Sequence, residues 1–258
     1  MSTDDEESDT SSNDFDIRFV DMGNAANKVA VGIFGMPDVG LVGSISTSYL
    51  SSTLGAKEAA QVASDYLPPL MILHNGEPKE VVRMFSSPQA NILVAETPMP
   101  SALTAALVVE SLKWFRNHGA SEVYCIGGVA VEDRVDIEKP EVYVVSTSAR
   151  RRDELRQRGL NVMDEGVVAG PFAVVMREAL KMSLTNTLIL SQAFQNLPDP
   201  ESALAALEAL TKAGGPRVDL DPLRKMSDQI KLKSKELIQK AKEVDSGQKE
   251  ANVPLMYG

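Results

Sequence analysis

The chain has 258 residues, 43 % of them hydrophobic and 5 % aromatic, with 26 Lys plus Arg against 36 Asp plus Glu and a formal net charge of -10. This length and apolar content suit one good-sized core with appendages and exclude wholesale disorder; Leu, Val, Ile and Ala must fill most of the interior. The acidic balance argues against nucleic acid or an anionic membrane as the main partner, and a single cysteine excludes an internal disulfide and any cysteine-cluster metal site.

Residues 1–16 carry seven acids, no base and little apolar material. They predict a disordered acidic leader, because almost nothing there can be buried against the ordering entropy. Without the leader only -3 remains on the rest of the chain. Its composition is the reverse of a basic signal-peptide start, and no stretch reaches ~18 uninterrupted apolar residues, so a soluble cytoplasmic protein without a membrane span is expected.

The body, residues 17–218, opens with an apolar strand from Val29 to Phe34. Its apolar side chains on both faces suit a strand covered by helices on each side. The turn Gly35-Met36-Pro37-Asp38-Val39-Gly40 follows, then a helix from Leu41 to Leu54. Segments between Ala59 and Phe85 lack an intervening helix and are candidates for antiparallel pairing, which would make the sheet mixed. A second strand runs from Gln89 to Glu96 and stops at Thr97-Pro98-Met99-Pro100. Ser101 or Thr104 is a candidate cap for the helix that reaches Trp114 and Phe115 and ends at Gly119.

A strand over Glu122–Ile126 is closed by Gly127-Gly128, and another spans Glu141–Thr147. Ser148 is placed to cap a helix from Ala149 to Arg158, with Gly159 just past its end. Gly170-Pro171 opens an amphipathic helix with Phe172, Val175, Met176, Ala179 and Leu180 on one stripe. A strand over Thr187–Phe194 and an alanine- and leucine-rich helix over Glu201–Lys212 complete the body. Strands and helices alternating at this spacing predict an α/β fold, a three-layer α/β/α sandwich with a mostly parallel or mixed central sheet.

Residues 219–244 read as a long final helix. Leu220, Leu223, Ser227, Ile230, Ser234, Leu237, Ala241 and Val244 follow steps of three and four, the seam of a coiled coil or of a long docked helix. Two serines weaken the seam, so it needs close helix approach or the surface of the main domain to complete it. A continuous helix there is about 36 Å long, and a projecting or intersubunit arm is the preferred expectation over one packed on its own domain. Residues 245–258 are a flexible tail, polar at first and then apolar from Val253 to Tyr257.

Among residues with chemical potential, Gly35, Gly40 and Gly43 follow a strand and enter a helix, a setting for anion binding. Their spacing fits neither a dinucleotide fingerprint nor a phosphate loop, since Leu41 stands where the latter requires lysine. A tight turn that allows close helix–sheet contact is the default, with a bound anion as the alternative. Glu96 lies at a strand's carboxyl end, where α/β ligands bind, and Asp133 and Arg134 are placed to approach the same edge. A capping or solvated loop acid is the default for Glu96.

His74 and His118 make a poor metal case, and Cys125 inside an apolar strand reads as a buried small hydrophobe. Arg150, Arg151 and Arg152 crowd a helix's first turn; only Arg150 has an evident partner, Glu154, so a solvated face is expected. No catalytic residue, cofactor or metal site is assigned.

The segment Gly35-Met-Pro-Asp-Val-Gly-Leu-Val-Gly-Ser-Ile, with Tyr49-Leu50 after it, resembles the proteasome assembly chaperone 2 (PAC2) family of archaea and eukaryotes. Leu67-Pro68-Pro69, Gly127-Gly128, Gly166-Val-Val-Ala-Gly170, Leu197-Pro-Asp-Pro-Glu-Ser-Ala and Val218-Asp-Leu agree in order and spacing. The resemblance runs from about Val29 to Leu223. It implies a phosphorylase-like sandwich with no general catalytic activity, a homo-oligomer, and the α subunits of the 20S proteasome core particle as partner.

Some archaeal relatives dock through a C-terminal hydrophobic–tyrosine–any-residue motif. Met256-Tyr257-Gly258 fits it at all three positions, although such an ending arises by chance in roughly 1 % of chains. The resemblance thus implies partner binding by Met256, Tyr257 and Gly258, in an assembly chaperone or an ATP-independent activator. The competing expectation is a nucleoside- or phosphate-binding enzyme of phosphorylase-like fold, motivated by the glycine turn and Glu96.

Overall fold

The computed structural model describes residues 15–26 and 28–230. In chain order its strands are β1 (Arg18–Asp21), β2 (Val31–Gly35), β3 (Lys57–Ala63), β4 (Ile72–His74), β5 (Glu77–Lys79), β6 (Val82–Ser86), β7 (Asn91–Ala95), β8 (Glu122–Ala130), β9 (Val142–Ser146), β10 (Asn161–Val162) and β11 (Thr185–Ala193). Its helices are α1 (Val42–Thr53), α2 (Ser101–Asn117), α3 (Ala149–Gln157), α4 (Gly170–Lys181) and α5 (Pro200–Ala213), and residues 221–230 are also helical. Nine strands form one sheet in the order β1-β3-β6-β7-β2-β8-β11-β9-β10, while β4 and β5 pair as a separate hairpin.

The four central strands β7, β2, β8 and β11 run parallel. Antiparallel pairing flanks them, through β6, β3 and β1 on one side and β9 on the other. The sheet is therefore mixed, as the helix-free stretch between Ala59 and Phe85 predicts.

Strand alternation builds a core on each face. Phe34, Leu93, Cys125 and Leu188 turn towards α2 and α4, joined by Leu107, Phe115, Phe172 and Val175. Their sequence neighbours Ile33, Ile92, Ile126 and Ile189 turn the other way, against Val42 and Leu50 of α1 and Leu207 of α5. The expected three-layer sandwich is the observed one.

Four local expectations are corrected. The strand that begins at Glu122 does not close at Gly127-Gly128 but runs on to Ala130, because β11 pairs with it residue for residue through Ala193. No side chain caps α2: Pro100 precedes it, and the Thr104 hydroxyl donates to the Pro100 carbonyl instead. Edge strand β1 was not predicted. Phe15, assigned to the leader, packs edge-on against Tyr66, and its carbonyl accepts the Ser64 hydroxyl at 2.6 Å. Ser148 does cap α3, accepting from the Arg151 amide, and Gly159 stands at a left-handed φ of 68° just beyond.

The final helical residues begin on their own domain. Leu223 is 1 % exposed and Ser227 4 %. The Tyr49 hydroxyl donates to the Asp219 carbonyl at 2.6 Å, and Arg224 binds Glu208 of α5 at 2.7 Å. The rest of the helix expected over 219–244, the 245–258 tail and most of the leader lie outside the described residues. Truncating Leu223 to alanine should lower folding stability by roughly 2–4 kcal/mol, the range for a buried leucine, as read by chemical denaturation. A change below half a unit would mean that the root of this helix is not anchored on the body.

Candidate functional site

Open parallel sheets hold ligands beyond the carboxyl ends of their strands. Here that edge gathers the turn after β2, the loop after β7, the end of β8 and the segment between β11 and α5. The turn Gly35–Gly43 lies directly on β8. A Cβ at Gly35 would stand 2.5 Å from the Gly43 carbonyl, and one at Gly43 2.7 Å from the Ile126 carbonyl. Such distances leave no room for a side chain. The glycines thus serve close helix–sheet contact, the default expectation for this turn.

The amides at this helix entry are already engaged. Asp38 accepts from the Gly43 amide at 3.0 Å through one carboxylate oxygen and from the Gly128 amide at 2.5 Å through the other. It supplies from within the chain the oxygen acceptors for these amides. Burial pushes its carboxyl up from 3.8 to about 7, against the lowering effect of these backbone bonds. Leu41, next in the turn, has a left-handed φ of 51°, strained for a residue with a Cβ, and its side chain is exposed.

A second pin holds the other side of the edge. Arg134 and Asp199 are each 2 % exposed. The Arg134 Nε and Nη2 groups donate to the two Asp199 oxygens at 2.8 and 3.2 Å, and Nη2 also donates to Glu201. Asp199 caps α5 through the Ser202 amide and accepts from the Phe194 amide, while its own amide donates to the Gly40 carbonyl. Arg134 does approach the carboxyl edge, as expected, but as a fully coordinated strut rather than an open cation.

Glu96 is neither a pocket carboxylate nor a solvated loop acid. It is ion-paired with buried Arg83 and lies 3.2 Å from His74 Nε2, and Arg83 also faces Glu58 at 3.5 Å. Hairpin β4–β5 is thereby tied to the body, while its Met71 and Leu73 remain exposed.

The arginine run is also corrected. Arg151 is not solvated: it pairs with Glu122 and Glu154, contacts the Tyr124 hydroxyl and donates to the Ala213 carbonyl. Arg152 donates to the Ser146 carbonyl. Glu122, Tyr124 and Ala213 are distant from Arg151 in sequence, so spacing along α3 could not disclose them.

His118 stacks on Trp114, with ring centroids 3.8 Å apart, and its Nδ1–H donates to the Trp114 carbonyl. Cys125 is fully buried, and burial pushes its thiol up to about 12, the behaviour of a packed small side chain. Among the described residues no group of three or more His, Cys, Asp or Glu is placed to hold a metal ion, and no helix is long and apolar enough to cross a membrane. Met256, Tyr257 and Gly258 lie outside the described residues.

The PAC2 family model matches residues 32–238, most of the chain. The chain belongs to the PAC2 family. Among solved structures it resembles Pyrococcus furiosus PbaA, an archaeal homolog of proteasome-assembly chaperone, at 23 % identity and a TM-score of 0.78, over 91 % of this chain and 97 % of that one. Pyrococcus furiosus PbaB, an archaeal proteasome activator, aligns at 19 % identity and a TM-score of 0.74, over 88 % and 98 %. A Thermoplasma acidophilum protein of unknown function gives 22 % and 0.69, over 88 % and 92 %. At these identities the likeness establishes a shared PAC2 fold. No curated protein matches the chain.

Two outcomes test the edge. In the folded state Asp38 holds its proton up to about pH 7, whereas unfolded it releases it near 3.8. Stability that rests on the neutral carboxyl is therefore fully present below that lower value and is lost as pH rises to about 7 and beyond. Wild type should lose melting temperature relative to Asp38→Asn across this window; a constant difference would show that burial does not govern Asp38. Replacing Arg134 by methionine leaves Asp199 buried without its ion partner and should cost roughly 3–5 kcal/mol in denaturant unfolding, far more than Arg150→Met on the exposed face of α3.

Proposed function

We propose that this PAC2 protein is a homo-oligomeric, cytoplasmic proteasome-binding protein, an assembly chaperone or an ATP-independent activator, rather than an enzyme. It docks its terminal Met256-Tyr257-Gly258 into clefts between neighbouring α subunits of the 20S core particle. The observation that carries this is the hydrophobic–Tyr–Gly triple at 256–258 in a chain of this family. Chaperone and activator both stand because the two Pyrococcus relatives are described by those two words.

The chemistry of docking is physical. Met256 fills an apolar cleft, Tyr257 lays its ring against backbone and bonds through its hydroxyl, and the Gly258 carboxylate pairs with a lysine. Ordering one peptide tail offsets much of this gain, so a single tail binds weakly. Several tails on one oligomer act together through effective concentration.

A nucleoside- or phosphate-binding enzyme is supported less well. Asp38 already occupies the helix-entry amides, Glu96 is paired with Arg83, and Asp199 with Arg134. A chain lacking residues 256–258 should fail to co-purify with the 20S core particle while keeping its oligomeric mass and melting temperature. Undiminished capture by the shortened chain would falsify tail docking, and saturable binding of a nucleoside or inorganic phosphate by calorimetry, lost in Glu96→Gln, would restore the enzyme.

A further inference from the structure

The hairpin β4–β5 turns an apolar face to water and a polar one to the body. It shares no ladder with the nine-stranded sheet. Leu73 and Pro78 stand opposite each other and face outwards, Leu73 at 69 % exposure. Ile72, on the alternate face, packs against the core. His74 follows Ile72 on that inner face and meets a group of charges on the body. Ile72 and His74 thus give the hairpin an apolar tie and a polar one.

One nitrogen carries the polar tie. His74 Nε2 lies 2.9 Å from Arg83 Nη2 and 3.2 Å from Glu96 Oε2. Arg83 Nη2 has two hydrogens and donates to Glu96 as well. The arrangement is complete when Nε2 presents a lone pair, so that Arg83 gives one hydrogen to the imidazole and the other to the carboxylate. The ring proton then sits on Nδ1, and the imidazole is neutral.

A second proton on the ring undoes this. Nε2–H then faces the Arg83 guanidinium at 2.9 Å, donor against donor and cation against cation. Arg83 has no room to withdraw: it is 5 % exposed, pairs with Glu58 at 3.5 Å and with Glu96, and lies over the Phe85 ring. Attraction to Glu96 at 3.2 Å and repulsion from Arg83 at 2.9 Å nearly cancel by Coulomb's law. The other charges nearby are already matched, Glu77 with Lys79 at 3.0 Å and Glu58 with Arg83 and Lys79. The charged ring gains little by staying and forfeits the Arg83 bond, whereas its side chain is 43 % exposed and has water beside it.

We propose that His74 is a proton-operated latch: as a neutral acceptor from Arg83 it seats the hairpin, and on protonation it swings into water and releases it. Imidazole ordinarily changes charge between about pH 5 and 8, and carboxylates ordinarily do so well below. An isolated two-stranded hairpin is marginal in water, so one held by Ile72 without His74 frays in its own pairing. The device does not depend on what the chain binds.

Hydrogen exchange of residues 72–79 in the full chain, followed from about pH 8 to about pH 5 and corrected for intrinsic rates, tests the latch. Protection should fall about tenfold, the equivalent of one hydrogen bond to a charged group, while β8 and β11 hold theirs. His74→Gln, whose amide oxygen accepts from Arg83 but gains no charge, should keep the hairpin protected throughout. Asp38 also titrates near neutrality, and His118 is the other histidine. Both remain in the variant, so a pH effect that persists there belongs to them and overturns the latch. Nitrogen NMR of the unmutated chain gives a second reading: at about pH 8 the His74 ring should carry its proton on Nδ1. A proton on Nε2, or hairpin protection that does not change with pH, would likewise overturn it.

Discussion

The fold depends on how closely the Gly35–Gly43 turn approaches the end of β8. Backbone lies against backbone there, with no side chain between them, and Asp38 closes the contact by joining the Gly43 and Gly128 amides through one carboxyl group. This fixes the entry angle of α1, which buries Val42 and Leu50 on the sheet and supports α5. The Gly40 carbonyl then receives the Asp199 amide, so the same turn also seats the start of α5. Adding one methyl group at Gly43 or Gly128 would push the turn off the strand and loosen both helices together.

This arrangement has a functional consequence. An open parallel sheet offers the crevice beyond its strand ends to ligands, and a helix N-terminus there attracts anions. In this PAC2 protein the chain fills that position itself. Asp38 takes the amides, Asp199 neutralises Arg134, and Arg83 takes Glu96. A carboxyl raised to about 7 is often a mark of catalysis, but the cause here is desolvation inside a structural joint. The edge is closed by the chain's own paired groups.

Much of the fold was legible in the sequence because its signals are local. The paired faces of β2, the stop at Gly159, the Gly170-Pro171 opening of α4 and the missing helix between Ala59 and Phe85 each follow from a few adjacent residues. What stayed hidden depended on contacts across the chain. Arg151 looked solvated because Glu122 and Ala213 lie on other elements. β8 seemed to end at its glycines because the β11 ladder that extends it lies some sixty residues away. Arg134 was placed at the right edge, yet its partner Asp199 entered only within the Leu197-Pro-Asp-Pro-Glu-Ser-Ala segment, with no role of its own. The Asp-Pro-Glu-Ser order there is a helix-start signal with an N-cap aspartate before proline, and it could have identified that residue.

The closed strand-end edge and the proposed terminal docking make complementary demands. A docking peptide loses affinity through the freedom it gives up, and linking several peptides helps only when their starting points are fixed relative to one another. Leu223 buried in the core, with the Tyr49–Asp219 and Arg224–Glu208 contacts beside it, fixes the start of the final helical segment on the domain. In the proposed docking, a loose root would let the terminal residues sample a larger volume and lower their effective concentration at a cleft. Under the proposed tail docking, stability at the α1–α5 face would bear on binding without any residue of that face touching the partner.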